Sequence, residues 1–469
     1  MEDPHHGDLD EDIIPTAFEA RARESIVEYN KRVEGNLRYK FLSPPGSYRY
    51  KFDDNDYIGF RLKRREIRRK LLQLNQEDDE SQSPLFKPDA TIEGEIAKYM
   101  GFKRGIPVVN GTAANRLVID HLFQLACGKD KFGKIQSDPA ALYVVAPREI
   151  HTSLRHPLNL LGVNIHNIGD HNNFQRIRRT LEETPTEKKF RVLILEAIYS
   201  GRGLTYTEEE MQEMKGILIL AKEKGFCVVV DMSHDAFLLG TNLFHKHGLT
   251  QYIDIATISG SKAKGGGHAL LLLNDNDKTL RESFSGDPSY VFSSAPDREE
   301  SMIDEELLGF HSLHGEARGK VALATANDLA RVLNERNLST SWAPSPSVTV
   351  TSSIVFLPIG SPSSAFFARD VLAKLGIKVA VFIPPGVPGV VSGLRFSASY
   401  SEDPASSVDA VANAVETVID CVGKNIQLAL QYSDPKERVL DRKLYEAILS
   451  RGIPMPKPLR IQGGVVYFH

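Results

Sequence analysis

Thr257-Ile-Ser-Gly-Ser-Lys-Ala-Lys-Gly-Gly-Gly-His268 is the stretch on which the reading of this chain turns. A short apolar run, Ile253–Ile258, precedes the lysine and reads as a buried strand. A second, Ala269–Leu273, follows it. Lys262 therefore falls on a tight turn between two strands. Ser259, Gly260, Ser261, Ala263 and Gly265 to Gly267 leave little bulk around it. A lysine in that setting can lie against a flat ligand and reach an aldehyde carbon. Partial desolvation of the ammonium would make it a Schiff-base nucleophile. The rival reading is a solvated surface turn that carries a lysine.

The upstream residues separate these readings. The run Phe226-Cys-Val-Val-Val-Asp231 ends on an acid, and His234 follows three residues later. An acid at the carboxyl end of a buried parallel strand points into the crevice where α/β proteins bind ligands. From Asp231 to Lys262 is 262 − 231 = 31 residues, room for a crossover and one more strand. An acid beside a pyridinium nitrogen and a lysine linked to an aldehyde is the protein pairing for pyridoxal phosphate. Asp231-Met-Ser-His234 with Ser261-Lys262-Ala263-x-Gly265 resembles the Asp-x-Ala-His and Ser-Lys-Ala-x-Gly pair of fold-type-I pyridoxal-phosphate enzymes. Among these it is most similar to the α-oxoamine synthase family. The resemblance runs over about residues 55 to 420, with its motifs in the same order.

Further residues take roles from that resemblance. Asn110-Gly111-Thr112-Ala113-Ala-Asn115 lies between a strand and a helix, where backbone N–H groups form an anion site. It resembles the family's Gly-x-x-Ala-Asn, and Thr112 would be helix cap and phosphate ligand together. The rival is an ordinary capped helix. Ile150-His151-Thr-Ser is similar to the family's His-Ala-Ser, which implies that His151 stacks on the cofactor ring. Glu196-Ala-Ile-Tyr-Ser200-Gly-Arg-Gly203 stands where the family has Glu-x-x-Phe-Ser-Met-Asp-Gly, with Ser200 reaching cofactor or substrate. Asp231 would keep the pyridine nitrogen protonated, and His234 would bond the 3′-oxygen. Ser259 and Ser261 flank the lysine. Ser293 and Ser294 resemble a hydroxyl pair that reaches the phosphate of a neighbouring subunit, which implies a homodimer. Gly393-Leu-Arg395-Phe-Ser397 matches Leu-Arg-[Ile/Leu]-Ser. Arg395 would clamp the substrate α-carboxylate with its planar fork. Tyr57, in Asp56-Tyr-Ile-Gly-Phe60, and His268 are placed on the substrate side.

Composition excludes several classes. The 469 residues exceed one minimal domain, and an apolar fraction of 41% can supply a large core. A net charge of −4 gives no polyanion-binding signal, so no nucleic-acid partner is expected. No apolar run approaches the ~18 residues of a membrane span. The acidic start, Met1-Glu-Asp-Pro-His-His-Gly-Asp, has no apolar core of a signal peptide. Three dispersed cysteines, Cys127, Cys227 and Cys421, have no metal-ligand spacing and point to a reducing compartment. A cytoplasmic location with no metal is expected.

The expected fold is α/β: a fold-type-I transferase with a mainly parallel seven-stranded sheet covered by helices, plus a smaller C-terminal α/β domain. The seven candidate strands are Ile106–Val109, Ala141–Val145, Val163–Ile168, Val192–Ile198, Phe226–Asp231, Ile253–Ile258 and Ala269–Leu273. The expected units are a disordered tail (1–12), an N-terminal helical segment (13–80), a large cofactor-binding domain (81–310), a small domain (311–435) and a C-terminal extension (436–469).

The chain departs from the family at two places. A Gly-Ser-Gly segment ahead of Leu-Glu is replaced by Ser83-Pro-Leu-Phe-Lys-Pro-Asp-Ala-Thr-Ile92-Glu93, and the glycine pair after the lysine turn is His268-Ala269. Both border the expected acyl-donor side. The resemblance implies an enzyme using pyridoxal 5'-phosphate. It would act on an amino acid through a carbanion at Cα, which a thioester, an acyl-CoA or a carrier protein, then acylates. The alternatives are an aminotransferase, an aldol-type lyase or a non-catalytic partner subunit. Because of the two departures, common acyl-CoAs are expected to be poor substrates.

Overall fold

The computed structural model describes residues 50–52, 64–69, 92–128, 138–184, 190–199, 201–234, 243–260, 262, 268–274, 298–338, 340, 352–384, 391–399, 403–431 and 438–468. Tyr57, Ser200, Ser261, Ser293, Ser294 and the tail 1–12 lie outside them, as does the substituted segment from Ser83 to Thr91.

The strands are β1 (Tyr50–Phe52), β2 (Arg104–Val108), β3 (Leu142–Ala146), β4 (Ile165–Asn167), β5 (Phe190–Glu196), β6 (Phe226–Asp231), β7 (Ile255–Ile258), β8 (Ala269–Leu273), β9 (Ile354–Gly360), β10 (Ile377–Phe382), β11 (Ser392–Ser397), β12 (Val439–Asp441), β13 (Arg460–Gln462) and β14 (Val465–Tyr467). The first sheet has seven strands in the order β2-β8-β7-β6-β5-β3-β4. Its pairs are parallel from β4 to β7, whereas β8 runs antiparallel to both β7 and β2. All seven expected strands are present, with ends shifted by a few residues. Continuous apolar runs such as Val228-Val-Val230 and Leu270-Leu-Leu-Leu273 are buried on both faces, as a sheet covered by helices requires. Helices Gly111–Cys127, Thr152–Leu160 and Glu210–Glu223 supply that cover. Their inward stripes, Leu117, Val118, Leu122 and Met211, Met214, Leu218, join one core.

The second sheet runs β1-β10-β11-β9-β12-β14-β13. Helices Pro362–Lys374 and Pro404–Gln431 line it with Ala365, Phe366, Val411, Val415 and Val418. Two sequence expectations change here. The N-terminal segment 13–80 contributes a strand, β1, which pairs in parallel with β10. The C-terminal extension 436–469 adds β12, β14 and β13 to the same sheet around helix Arg442–Ser450. Gly463 and Gly464, at φ +57° and +79°, make the two-residue turn between β13 and β14, the left-handed pair a tight hairpin needs. The boundary at 310/311 falls inside a single helix, Arg298–Glu335. Its early residues Ile303 and Leu307 belong to the first core, and Ala326, Leu329 and Leu333 belong to the second.

Candidate active site

The directions of the strands bring the expected residues to one edge. Strands β2, β3, β5, β6 and β7 all finish there, and β8 starts there. Glu196 is the last residue of β5, Gly111, His151, His234 and Lys262 follow the ends of the other strands, and His268 immediately precedes β8. Residues as far apart as Gly111 and His268, 268 − 111 = 157 positions, thus share one crevice, as the carboxyl edge of a parallel sheet provides.

The floor of the crevice is a closed hydrogen-bond network. Asp231, at the tip of β6, accepts from the Ser233 N–H at Oδ1 (2.9 Å) and from Asn115 Nδ2 at Oδ2 (2.8 Å). Asn115 Nδ2 also donates to Ser153 Oγ (2.8 Å), and Asn115 Oδ1 accepts from the Thr257 hydroxyl (2.6 Å). Asp231, Asn115, Ser153 and Thr257 are all buried. Asn115, expected to touch the cofactor, spends its amide on these three partners. The Asp231 carboxylate keeps lone pairs for a further donor, which suits a pyridinium N–H.

The anion site also differs in detail. The cap of helix Gly111–Cys127 is Asn110, not Thr112: Asn110 Oδ1 accepts from the Ala113 N–H (2.8 Å). Gly111 and Thr112 occupy the first helical positions, where N–H groups lack a partner within the helix. Thr112 is exposed. A Cβ on Gly111 would lie 3.1 Å from Ser259 Cβ. Glycine therefore lets the helix start approach the end of β7, closing a small cradle suited to a phosphate.

Above this floor, Lys262 Nζ lies 2.7 Å from His234 Nε2. Burial lowers Lys262 from its ordinary 10.5 to about 8, with the positive charge of Arg395 adding to the effect and Asp231 and Glu196 opposing it. Burial holds His234 well below the ordinary imidazole value, and the charges of Lys262 and Arg395 act the same way. His151 is lowered by burial, opposed by Asp231 and helped by Lys262 and Arg395. Both imidazoles are therefore neutral at pH 7. Arg395 comes from β11 of the second sheet, and its charge is felt by all three groups, so the two sheets face one site. His151 caps helix Thr152–Leu160: its Nδ1 accepts from the Ser153 N–H (3.2 Å) and meets Ser153 Oγ at 2.6 Å. The His151 N–H donates to Glu196 Oε1.

The Gly201-Arg202 substitution finds a structural reason. Arg202 turns away to pair with Glu149 through two bonds, one of them Nε to Oε2 at 2.8 Å. A Cβ on Gly201 would fall within the ring of Phe382 in β10, and one on Gly203 (φ +68°) would strike the Ile354 carbonyl. The turn is thus the joint between the two sheets. Ser153, Thr257 and Glu196 are site residues that the sequence reading left without a role. Each lay inside a quoted motif, but nothing in the spacing showed that their side chains meet.

The family model for aminotransferase class I and II matches residues 47–267. The chain is similar to 8-amino-7-oxononanoate synthase of Aliivibrio fischeri (strain MJ11), with 23% identity over 78% of this chain and 87% of that protein. The fold is shared with Sphingomonas wittichii serine palmitoyltransferase, at TM-score 0.63 and 16% identity over 85% of this chain and 97% of that one. It is shared also with 8-amino-7-oxononanoate synthase from Francisella tularensis, at TM-score 0.56 and 16% identity over 79% and 96%. A serine palmitoyltransferase from S. paucimobilis with a bound PLP–myriocin aldimine superposes at TM-score 0.63, with 17% identity over 86% and 98%.

Proposed function

We propose that this chain is a pyridoxal-phosphate-dependent transferase of the α-oxoamine synthase type, joining an amino acid to an acyl thioester. The observation that carries this reading is Lys262: half-buried, 2.7 Å from His234, and lowered to about 8 in reach of the Asp231 charge. The residues fit the cofactor. Asp231 offers a pinned carboxylate, Gly111 and Thr112 offer helix-start N–H groups, and Lys262 offers an amine. When bound, pyridoxal phosphate supplies an electron sink for charge that develops at the substrate Cα.

The chain's own residues do the rest. Lys262 carries an amine that can lose its proton near neutral pH, as a nucleophile and later as a base require. Neutral His234, beside Nζ, can take a hydrogen bond from that amine. Asp231 holds a proton at the pyridine nitrogen by a charge-assisted bond worth roughly 1.5–3 kcal/mol. Arg395 binds the amino-acid carboxylate from the opposite sheet. His151 closes the other side of the crevice. The relatives named as synthases of 8-amino-7-oxononanoate and as serine palmitoyltransferases support the choice of condensation. A homodimer, with Ser293 and Ser294 reaching the partner's phosphate site, is part of the same proposal.

The test is borohydride reduction in the presence of pyridoxal phosphate, followed by peptide mass. The expected result is one covalent adduct, on Lys262. An adduct elsewhere, or none, would sink the reading. A product screen of glycine, alanine and serine with acyl thioesters then separates condensation from transamination.

A further inference from the structure

Four side chains from three elements meet under the site, three of them buried and His151 partly so. Thr257 is the last but one residue of β7, Asn115 sits in the first helix after β2, Ser153 lies in the first turn of the helix after β3, and His151 caps that helix. The direction of every bond in this chain can be assigned. The Ser153 N–H can only donate, so His151 Nδ1 must accept from it (3.2 Å). A neutral imidazole with an accepting Nδ1 carries its proton on Nε2. The Asp231 carboxylate can only accept, so the Asn115 atom facing it at 2.8 Å is the amide nitrogen. That fixes the amide orientation. The second Asn115 N–H then goes to Ser153 Oγ at 2.8 Å, and Oδ1 takes the Thr257 hydroxyl proton at 2.6 Å. Ser153 Oγ, already accepting, turns its own proton to His151 Nδ1 at 2.6 Å.

We propose that Thr257, Asn115 and Ser153 are positioning residues, a relay that holds His151 as the Nε2–H tautomer and thereby makes it a hydrogen-bond donor in the site. The same Asn115 amide pins Asp231, so one side chain sets both the acid and the imidazole. In its resting form His151 can then present N–H to an acceptor oxygen of the amino acid or of its acyl partner, and cannot take a proton at Nδ1 without breaking two bonds. The functional part of this proposal rests on the reading of Lys262 given above. The tautomer itself does not, because it is set within the cofactor-free chain.

The experiment is imidazole ¹⁵N NMR on the full-length chain free of cofactor, with the His151 signals assigned by their loss in His151→Gln. The expected spectrum has an unprotonated, hydrogen-bonded Nδ1 and a protonated Nε2. In Ser153→Ala the Nδ1 resonance should move toward that of an imidazole with a weaker donor. In Thr257→Val, which removes only the hydroxyl at nearly constant volume, a smaller shift in the same direction should pass through the amide. Thr257→Ser and Ser153→Thr should restore the parent spectrum. Pyridoxal phosphate affinity, read by absorbance titration, should fall roughly two- to tenfold in Thr257→Val, the range for one lost hydrogen bond. A protonated Nδ1 in the parent would overturn the proposal. So would His151 shifts in Ser153→Ala and Thr257→Val that coincide with the parent. An absent Lys262 adduct would instead overturn the cofactor reading and leave these spectra standing.

Discussion

At pH 7 an amine with a pKa of about 8 is roughly one-tenth neutral, whereas at the ordinary lysine value of 10.5 the neutral fraction is roughly one part in three thousand. Lys262 gains this difference from burial first and from Arg395 second. Formation of the borohydride-trappable adduct should therefore climb about tenfold per pH unit below a midpoint near 8. The sign for stability follows. The charged lysine is disfavoured in the folded chain, so its burial destabilises the cofactor-free fold fully below pH 8, and the cost is relieved as pH rises from there toward 10.5. Arg395→Ala removes one of the lowering charges, so the adduct midpoint should move up. The same change should weaken amino-acid binding by roughly 2–5 kcal/mol while sparing the cofactor. Spectral titration with an unchanged amino-acid affinity would exclude Arg395 as the carboxylate clamp. Asp231→Asn should keep the cofactor bound but cut turnover by roughly ten- to a hundredfold, the worth of one charge-assisted bond. Turnover within twofold of the parent would remove Asp231 from its role.

Among the elements, the turn from Gly201 to Gly203 joins the two sheets. Gly201→Ala presses a methyl into the Phe382 ring, and overpacking of this kind costs roughly 1–3 kcal/mol. Thermal or urea unfolding should show that loss, and pairing with Phe382→Leu should recover most of it. If the two changes add instead, the ring is not what excludes a side chain at 201. This contact was beyond sequence reading, because the partners stand 382 − 201 = 181 residues apart. The strands of the first sheet, by contrast, were legible: Phe226–Asp231 and Ala269–Leu273 are apolar runs bounded by turns, and both appear with the expected ends. The tail strands were not. Arg460-Ile-Gln462 is exposed at all three positions, so it carries no alternation to read. Asn110 displaced Thr112 as helix cap because both residue types serve, and spacing alone could not choose between them.

The whole molecule sets the second substrate. The lysine and the acid of the proposed cofactor site lie in local motifs. The hydrogen-bond network through Asn115 is a product of three crossovers meeting, which no single stretch displays. His268 adds an imidazole at the head of β8, on the same edge as Lys262, and under the proposed function it would border the acyl donor. A phosphopantetheine arm needs a long open channel. Steady-state assays with glycine, alanine or serine and a panel of common acyl-CoAs, following thiol release, should therefore show poor turnover, with a carrier-bound or unusual acyl donor preferred. Efficient turnover of any common pair would show that the side chain does not narrow the channel.

The placement of β1 dictates an order of assembly during synthesis. Its Phe52 pairs with Val379, and β10 begins only at Ile377, so 377 − 52 = 325 residues must be made before the first strand meets its neighbour. At about 5–20 residues per second that is a wait of roughly 16 to 65 s. Every strand of the first sheet leaves the ribosome within the interval, and so does the start of helix Arg298–Glu335. The first strand among the described residues is thus the edge of the sheet made last, and the region around Lys262 is built before Arg395 arrives.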